Sequence, residues 1–323
     1  MQYDVITIGG ATEDIIFYTK EGILIDNKQN LTKQKLLAFE YGAKIKIDKT
    51  FFGFGGGGAN TAVSFSRFGF KTAVLTAIGD DDRGQKIINN FEKQKVDVSL
   101  IQKIKKVESS FSFILAGLDN EHIVFSSRTV NDKLQITNNK LQIIKNANFI
   151  YLTSLSGEWP EALSKFFSLK NIKIVWNPGH RQILAGVDKI GKYLAKTAVL
   201  IINKDEAIEL VMSDKKYKNQ DKLFFMKINN LLSVLCGYGP QIVLITNDEH
   251  GASAFDTQKF YFQPSIKLKK IVNTIGVGDA FGSAFMVGLK LYNNDIEKAL
   301  YLGAKNAASV ITQPGAQNGL ITK

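Results

Sequence analysis

The sequence predicts an α/β fold, a three-layer sandwich with a mostly parallel central sheet and a small β lid. Short apolar runs alternate with helical patterns along most of the chain, as in a parallel sheet covered by helices. Several of these runs end in glycine or polar residues, where an open parallel sheet presents its ligands. Two further regions show the short alternation of hairpin strands and predict the lid.

The first predicted strand is residues 5–8, and the turn Gly9-Gly10 follows it. Glu13 and Asp14 come just after this turn. Ligands of open parallel sheets bind outside the carboxyl ends of the strands, so we expect these carboxylates to meet a polar substrate. Ordinary surface carboxylates are the alternative.

The predicted lid combines a region of short strands near the N-terminus with a later hairpin. The N-terminal strands are residues 22–25 and 43–47, and the hairpin has Asp119-Asn120 at its turn. An extra antiparallel edge of the main sheet is the alternative. The predicted core comprises residues 1–16, 53–109 and 127–323, and the predicted lid comprises residues 17–52 and 110–126.

A run of four glycines, residues 55–58, passes into a helix that ends near Gly69. Glycine loses much conformational freedom on folding, so we expect close approach to a ligand or unusual backbone angles here. Asn60 would project near that approach. The glycine spacing argues against a dinucleotide-binding GxGxxG loop, and no GxxxxGK[ST] phosphate loop is present.

The strand and helix alternation then continues to residue 246. The predicted helix after the first of these strands is residues 85–94. The predicted strands are residues 71–78, 149–152, 172–176, 198–202 and 242–246. Polar residues lie at or beyond several of the strand ends: Asn177, Asn203, Glu206 and Thr246. Their positions favour a ligand site along one edge of the sheet, although each residue could instead cap a helix.

The stretch 273–282 contains two glycines one residue apart and then Asp279, at the start of a long helical segment. N–H groups of Gly276 and Gly278, together with the helix N-terminus, can converge on an anion. An anion site beside a carboxylate indicates phosphoryl chemistry. The alternative is a tight loop followed by an ordinary helix cap.

Composition narrows the class of protein. The 323 residues are 45% hydrophobic and 22% charged, as in a globular protein, and the formal charge of +11 favours anionic small molecules. Lysines are scattered, so we expect no nucleic-acid partner, and no apolar run reaches membrane-spanning length. One cysteine, Cys236, excludes disulfides within the chain and predicts a reducing, cytoplasmic location. The three histidines lack zinc spacing.

Four motifs in order resemble those of the ribokinase-like (PfkB) carbohydrate kinases. They are the glycine-rich residues 55–60, Asn203-x-x-Glu206, the Asn-Thr-x-Gly-x-Gly-Asp stretch ending at Asp279, and the C-terminal residues 304–316. The resemblance covers nearly the whole chain and implies the ribokinase-like fold. It further implies phosphorylation of a hydroxymethyl group on a sugar or nucleoside, with ATP and Mg²⁺ as cofactors.

The resemblance also implies roles for individual residues. Asp279 would be the catalytic base, and the backbone amides of Gly276, Val277 and Gly278 would hold the transferring phosphoryl group. Substrate hydroxyls would bind at Asp14, Gly56, Gly57 and Asn60. The nucleotide side would include Asn203, Thr246, Gly251 and Asn306, and Glu206 would organise magnesium through water.

Three positions depart from the family pattern. Asn273 replaces an aspartate, Gly57 stands where ribokinases commonly have lysine, and Asp248 stands where glycine is frequent. The identity of the acceptor therefore stays open between a sugar and a nucleoside such as adenosine. A further alternative is that the protein is a catalytically weak ligand-binding homologue of these kinases. A dinucleotide-dependent oxidoreductase is disfavoured by the glycine spacing. Exposed lid edges allow a homodimer.

Overall fold

The computed structural model describes residues 2–27, 29–32, 35–116 and 122–323. Sixteen strands and ten α-helices are found within these residues. The strands are β1 Val5–Ile8, β2 Thr12–Tyr18, β3 Ile23–Asp26, β4 Lys35–Ala38, β5 Lys49–Gly55, β6 Thr72–Leu75, β7 Ala77–Gly79, β8 Gln102–Ile104, β9 Phe111–Ala116, β10 His122–Ser127, β11 Phe149–Leu152, β12 Lys173–Trp176, β13 Val199–Asn203, β14 Ile242–Thr246, β15 Ala252–Phe255 and β16 Phe260–Gln263.

The helices connect the strands of the core. They are α1 Gly57–Arg67, α2 Asp82–Lys93, α3 Asn138–Ile144, α4 Trp159–Phe167, α5 His180–Leu194, α6 Lys204–Met212, α7 Lys222–Met226, α8 Ile228–Gly237, α9 Val277–Leu291 and α10 Ile296–Ile311. None of the helices in the described ranges is long and apolar enough to cross a lipid bilayer.

The central sheet has eight strands in the order β16-β15-β14-β13-β12-β11-β1-β6. The strands from β14 to β6 are parallel, and β15 and β16 add an antiparallel edge. Parallel neighbours need crossover connections, and the intervening helices provide them. Because all six parallel strands point the same way, their carboxyl ends lie at one edge of the sheet.

Helices cover both faces of this sheet. Ile6 and Ile8 of β1 pack into a core with residues of α3 to α8, whereas Val5 packs on the other side with residues of α1, α9 and α10. Alternate residues of a strand point to opposite faces, so a strand that is buried throughout must be covered twice. The predicted three-layer α/β sandwich is confirmed.

A second sheet has the order β10-β9-β2-β5 and lies beside the core. It begins at Thr12, directly after the Gly9-Gly10 turn, and β5 extends to Gly55. The first lid segment was predicted to be 17–52, but the chain enters the lid sheet five residues earlier. Asp14 is therefore a strand residue of the lid sheet and not a loop residue after β1.

The smaller strands differ from the prediction. Residues 22–25 lie largely in β3, but this strand pairs with β4, and residues 43–47 form no strand. Alternation alone did not show which run would find a partner, because pairing depends on the turn between the runs. The predicted turn Asp119-Asn120 lies outside the described residues, although β9 and β10 do pair antiparallel.

The predicted core strands fall close to the observed ones. β11 and β14 have the predicted bounds, and β12 and β13 begin one residue later than predicted. The run 71–78 is split into β6 and β7, which belong to different sheets. The helix predicted at 85–94 begins at Asp82, where the Asp81 side chain accepts a hydrogen bond from the N–H of Gly84.

Candidate active site

The N-terminus of α9 carries the stretch of residues with the clearest chemical signature. Gly276 precedes the helix with a left-handed φ of 72°, and a Cβ atom there would collide with Ala316. The first backbone hydrogen bond of the helix runs from the N–H of Ala280 to the carbonyl of Gly276, at 2.9 Å. Helix geometry leaves the preceding N–H groups, including those of Val277 and Gly278, without acceptors inside the helix. This geometry is suited to binding an anion next to Asp279.

Asp279 lies in the first turn of α9 and faces a cavity. The Nδ2 atom of Asn60 in α1 donates a 2.8 Å hydrogen bond to Oδ2 of Asp279. Burial raises the pKa of Asp279, and this hydrogen bond lowers it. A carboxylate that is desolvated but held by one amide is a suitable proton acceptor near neutral pH.

The cavity has a volume of about 240 Å³ and lies between the lid sheet and the carboxyl ends of β1 and β11. Its wall includes Asp279, Gly276 and all four residues predicted to bind the acceptor: Asp14, Gly56, Gly57 and Asn60. We call this wall the acceptor side. The structure therefore brings together residues that are separated by up to 265 positions in the chain.

Asp14 is almost fully buried on the acceptor side. The hydroxyl of Thr12 donates a 2.7 Å hydrogen bond to its Oδ1 atom. Burial raises the pKa of Asp14 to about 6, against hydrogen bonds from Thr12 and Ser112 that lower it. A Cβ atom on Gly55 would collide with this carboxylate, which explains the first glycine of the run.

The next glycines pack against the turn that follows β1. Gly56 has a φ of 91°, and a Cβ there would collide with the carbonyl of Gly10. A Cβ on Gly58 would collide with the backbone of Gly9 in the same way. The run was predicted to permit close approach to a ligand or unusual backbone angles. The structure adds a packing reason, since the start of α1 lies directly on the turn after β1.

Asn203 and Glu206 form a capping box at the start of α6. Oδ1 of Asn203 accepts a 2.8 Å hydrogen bond from the N–H of Glu206, and Oε2 of Glu206 accepts a 3.0 Å bond from the N–H of Asn203. Burial raises the pKa of Glu206 to about 7, and the N–H of Asn203 opposes the shift. Charges of surrounding carboxylates raise it further, and Asp279 is one of them.

Thr246 lies beside Asn203, as its partner in the register of β13 and β14. Gly251 follows, with a φ of 97°, and a Cβ there would collide with the carbonyl of Gln263. We call Asn203, Glu206, Thr246 and Gly251 the nucleotide side. It lies at the carboxyl ends of neighbouring parallel strands, outside the cavity.

Asn306 does not belong with these residues. Its side chain is fully buried, donates a 2.8 Å hydrogen bond to the carbonyl of Ala280 and accepts a 2.9 Å bond from the N–H of Ile321. Asn306 was predicted to belong to the nucleotide side, and that role stays a prediction, since both ends of its side-chain amide are bonded within the protein here. Asn306 ties α10 to the first turn of α9, since a buried amide must satisfy its hydrogen-bonding groups.

Comparison with known proteins identifies the family of the chain. A model of the pfkB family carbohydrate kinases matches residues 22–323. The chain belongs to this family. Membership makes it an ATP-dependent phosphotransferase with an alcohol group as acceptor.

Relatives within the family are distant in sequence. The ATP-dependent ribose-1-phosphate kinase of Halopiger xanaduensis is 24% identical over 82% of both chains. The ribokinase of Haemophilus influenzae is 25% identical over 84% of this chain and 85% of its own. A solved Burkholderia thailandensis nucleoside kinase in complex with inosine shares the fold, with a TM-score of 0.77, 15% identity and coverage of 98% and 94%. The ribokinase-like fold is confirmed, whereas these identities do not select an acceptor.

The three departures from the pfkB pattern have structural explanations. Asn273 is buried, its Nδ2 donates to the carbonyl of Gln313, and its Oδ1 accepts a 2.9 Å bond from the N–H of Ile275. An aspartate could not make the first of these bonds. Gly57 packs against Thr153, so a lysine there would require that side chain to move. Asp248 has a φ of 44°, a conformation that favours glycine.

Magnesium fits this site if most of its ligands are phosphates and waters. No group of three or more histidine, cysteine or carboxylate side chains that could hold a metal ion occurs in the described part of the chain. Glu206 is a single, partly exposed carboxylate, with one oxygen committed to Asn203. Mg²⁺ keeps several waters and commonly uses one or two carboxylates with substrate phosphates, so this donor set is sufficient.

Other cavity residues were missed by the sequence reasoning. His122 begins β10 and Arg128 directly follows it, and His122 Nδ1 is 2.9 Å from the hydroxyl of Thr274. Burial lowers the pKa of His122, which keeps the ring neutral. Neither residue belongs to a motif. Only their positions at the ends of the predicted hairpin could have indicated from the sequence that they line the cavity.

Proposed function

We propose that the protein transfers the γ-phosphoryl group of ATP to a hydroxymethyl group of a sugar. The observation that carries this proposal is the position of Asp279, which lines the acceptor cavity and is also close enough to Glu206 for its charge to affect that carboxyl. Asp279 thus faces the acceptor side, and its charge raises the pKa of a carboxyl on the nucleotide side.

The proposed reaction begins with the acceptor hydroxyl next to Asp279. A carboxylate oxygen of Asp279 takes the proton as the acceptor oxygen forms a bond to the γ-phosphorus, and the bond from that phosphorus to the β-phosphate oxygen breaks. The products are the phosphate ester and ADP. Asn60 holds the carboxylate during this step through its 2.8 Å hydrogen bond.

The N-terminus of α9 would stabilise the transferred group. The N–H groups of Gly276, Val277 and Gly278 are already placed before the reaction, so little reorganisation is needed when charge develops. Asp14 and the backbone at Gly56 and Gly57 would bind the other acceptor hydroxyls, because they share the cavity with Asp279.

Asn203, Thr246 and Gly251 would bind the nucleotide at the carboxyl ends of β13 and β14. Mg²⁺, held by the ATP phosphates and by waters that Glu206 orients, would neutralise phosphate charge. A Glu206→Gln variant should need more Mg²⁺ for half-maximal activity. An unchanged requirement would remove Glu206 from the metal site.

A sugar fits the cavity better than a nucleoside. None of the described residues that line it is a phenylalanine, tyrosine or tryptophan, whereas nucleobases are commonly held by stacking on such rings. Its volume of about 240 Å³ also lies below the range of about 300–1,000 Å³ that is common for drug-sized ligands.

The same single-cysteine composition that predicts a reducing compartment supports a cytoplasmic enzyme.

The test is a screen of ribose, fructose and adenosine for acceptor-dependent ATP consumption, with the phosphorylated position identified by phosphorus NMR. We expect turnover with a sugar and a phosphate ester at its primary alcohol. Turnover with adenosine alone would replace the sugar by a nucleoside. Calorimetric binding of an acceptor without any phosphorylation would instead favour a ligand-binding homologue, the reading that the Asn273 departure suggests.

A homodimer through the lid is also proposed. Three exposed phenylalanines lie on the paired lid strands, Phe125 opposite Phe113 and Phe52 opposite Ile15, with Ile15 also next to Phe113. A continuous apolar row across an exposed sheet is typical of an association surface. Sedimentation of the wild type and a Phe113→Ser variant would test it: we expect dimer and monomer, and a monomeric wild type would contradict the proposal.

A further inference from the structure

Arg128 is a cavity residue whose guanidinium has few partners. It follows β10 directly, where the lid returns to the core. Its hydrogen bonds go to two hydroxyls, Ser126 at 3.3 Å from Nε and Ser154 at 3.4 Å from Nη1. Both are longer than the usual range of about 2.7–3.2 Å, and a guanidinium has five N–H donors. Most of its donor capacity is available to a ligand.

No carboxylate of the described residues lies within 4.0 Å of Arg128. The neighbouring Asp132 forms its ion pair with Arg181, at 3.9 Å. Burial and then the charge of Arg181 lower the pKa of Arg128, and Asp132 opposes them. A half-buried cation without a close counter-ion is costly, and an anionic ligand would offset that cost.

The wall around Arg128 is polar. Ser154 and Ser156 follow β11, and Asn131 lies opposite Gly10. Within the described residues, the buried Oδ1 atom of Asn131 has no hydrogen-bond partner. This part of the cavity can therefore accept an additional polar group while a hydroxyl of the same molecule reaches Asp279.

We propose that Arg128 binds an anionic group on the acceptor, so that the preferred substrate is a sugar acid or a sugar phosphate with a free hydroxymethyl group. The inference rests on the proposed kinase function and specifies its substrate class. Carboxylate and phosphate ester share the recognition chemistry, because the planar guanidinium can form two parallel hydrogen bonds with either.

The test compares matched acceptors in the wild type, Arg128→Met and the control Lys133→Met, which removes an exposed charge outside the cavity wall. The pairs are glucose with gluconate and ribose with ribose 1-phosphate, and kcat and KM are measured for each. We expect higher kcat/KM for the anionic member of at least one pair. Arg128→Met should raise the KM for that member roughly 10- to 100-fold, with little change for the neutral sugar.

The two pairs separate a carboxylate from a phosphate as the bound group. Equal effects of Arg128→Met on neutral and anionic acceptors, or a preference for both neutral sugars, would overturn the inference. If none of the four is phosphorylated, the kinase proposal fails for these acceptors. The Arg128 inference is then decided by calorimetry, and it is rejected if wild type and Arg128→Met bind gluconate and ribose 1-phosphate equally or not at all.

An independent observation concerns a row of side-chain amides that ends at Asp279. Asn60 donates to Asp279 at 2.8 Å, Gln317 Nε2 donates to Asn60 Oδ1 at 3.1 Å, and Asn90 Nδ2 donates to Gln317 Oε1 at 3.0 Å. Asn60 and Gln317 are both largely buried. The row runs from α2 through the C-terminal segment to α1 and α9.

The carboxylate sets the direction of every bond in this row. An ionised Asp279 can only accept, so Asn60 must turn its NH₂ group towards it and its oxygen towards Gln317. Gln317 must then donate to Asn60 and accept from Asn90. The geometry points to Gln317 as a positioning residue, which fixes the amide orientation of Asn60 and through it the proton affinity of Asp279.

The test uses Gln317→Leu, Gln317→Glu and the exposed neighbour Asn318→Ala as a control. The Asn60 hydrogen bond lowers the pKa of Asp279, so losing its orientation should move the acidic limb of the kcat profile to higher pH. Gln317→Glu should have the larger effect, because a carboxylate would face the oxygen of Asn60. Reduced stability with an unmoved limb in both variants would show a merely structural role and overturn the inference.

Discussion

The acceptor side is enclosed between the lid sheet and the core, whereas the nucleotide side lies at the edge of the central sheet. On the acceptor side Asp14 and Asn60 are nearly inaccessible, and Gly55 makes room for the Asp14 carboxylate. On the nucleotide side Asn203 is exposed and is occupied in capping α6. Enclosure suits selection of a small acceptor, and an open edge suits a nucleotide that must enter and leave.

Both motifs that characterise these two sides also have a purely structural explanation. The glycines at 55–58 are required by contacts within the protein, and Asn203-x-x-Glu206 forms a complete helix cap without any ligand. Asp279 accepts a hydrogen bond from Asn60 on the acceptor side, and its charge raises the pKa of Glu206 on the nucleotide side. Substitutions on each side should therefore separate acceptor binding, nucleotide binding and chemistry.

The largest effect is expected at Asp279. Asp279→Asn removes the proton acceptor but keeps the size of the side chain, so turnover should fall roughly a hundredfold to ten-thousandfold. Affinities for ATP and acceptor, measured by calorimetry, should change little. Wild-type turnover in this variant would contradict the assignment of the base.

A substitution at Gly55 should affect the acceptor side alone. A Cβ atom there collides with the Asp14 carboxylate, so Gly55→Ala should raise the acceptor KM by roughly 10- to 100-fold. The KM for ATP should not change. Gly191→Ala is the matched control, because a Cβ on Gly191 meets open space. Equal increases in both KM values would mean that the two sides are not separable.

Asn273→Asp tests the support beneath the α9 N-terminus. The buried Nδ2 atom donates to the carbonyl of Gln313, and an aspartate would place an oxygen against that carbonyl. We expect the free energy of unfolding to fall by about 2–4 kcal/mol, measured by urea denaturation. The exposed control Asn318→Asp should change it little, and equal effects in the two variants would refute this role of Asn273.

The smallest effect concerns Glu206 and the stability of the nucleotide side. Its pKa is raised from an ordinary 4.5 to about 7, so the folded protein holds a proton that the unfolded chain releases. The stability from the protonated carboxyl is present below about pH 4.5 and is lost as pH rises through about 7. Glu206→Gln should match the wild type near pH 5 and be more stable than it at pH 8.

Denaturation midpoints at pH 5 and pH 8 measure the difference in stability between the wild type and Glu206→Gln. Glutamine can keep the helix cap, since its side-chain oxygen also accepts from the N–H of Asn203. The exposed Glu92→Gln is the control and retains Glu206, so its denaturation midpoint should follow that of the wild type at both pH values. A constant gap between wild type and Glu206→Gln across pH would contradict the raised pKa.

The sequence predicted the parallel core because strand patterns such as 149–152 and 242–246 are apolar and bounded by turn residues. It also predicted that Asp14, Asn60 and Asp279 would belong to one site, through motifs whose order matched a family. The pairing of strands and the burial of individual side chains were harder to predict from the sequence. The partner of β3 depends on turn geometry, and the motif residue Asn306 is buried against Ala280, a contact between two helices that no local pattern shows.

Arg128 and Gln317 were missed for a related reason. Each contacts a residue that is distant in the sequence, Arg128 with Ser154 in the cavity and Gln317 with Asn60. The periodicity of a strand or helix reports which face is buried, but not which polar residue will meet another across the fold. Identifying these two residues required the three-dimensional arrangement of the lid, α1 and the C-terminal segment.

Asp279 is proposed to take the acceptor proton, and the most direct test of this role is the pH dependence of a single turnover in the wild type and Asn60→Ala. Asp14 and Glu206 also titrate in the relevant range, at about 6 and about 7, but only Asp279 accepts the hydrogen bond of Asn60 among these three. Loss of that bond should move the acidic limb to higher pH. A limb that stays in place would show that another group accepts the proton.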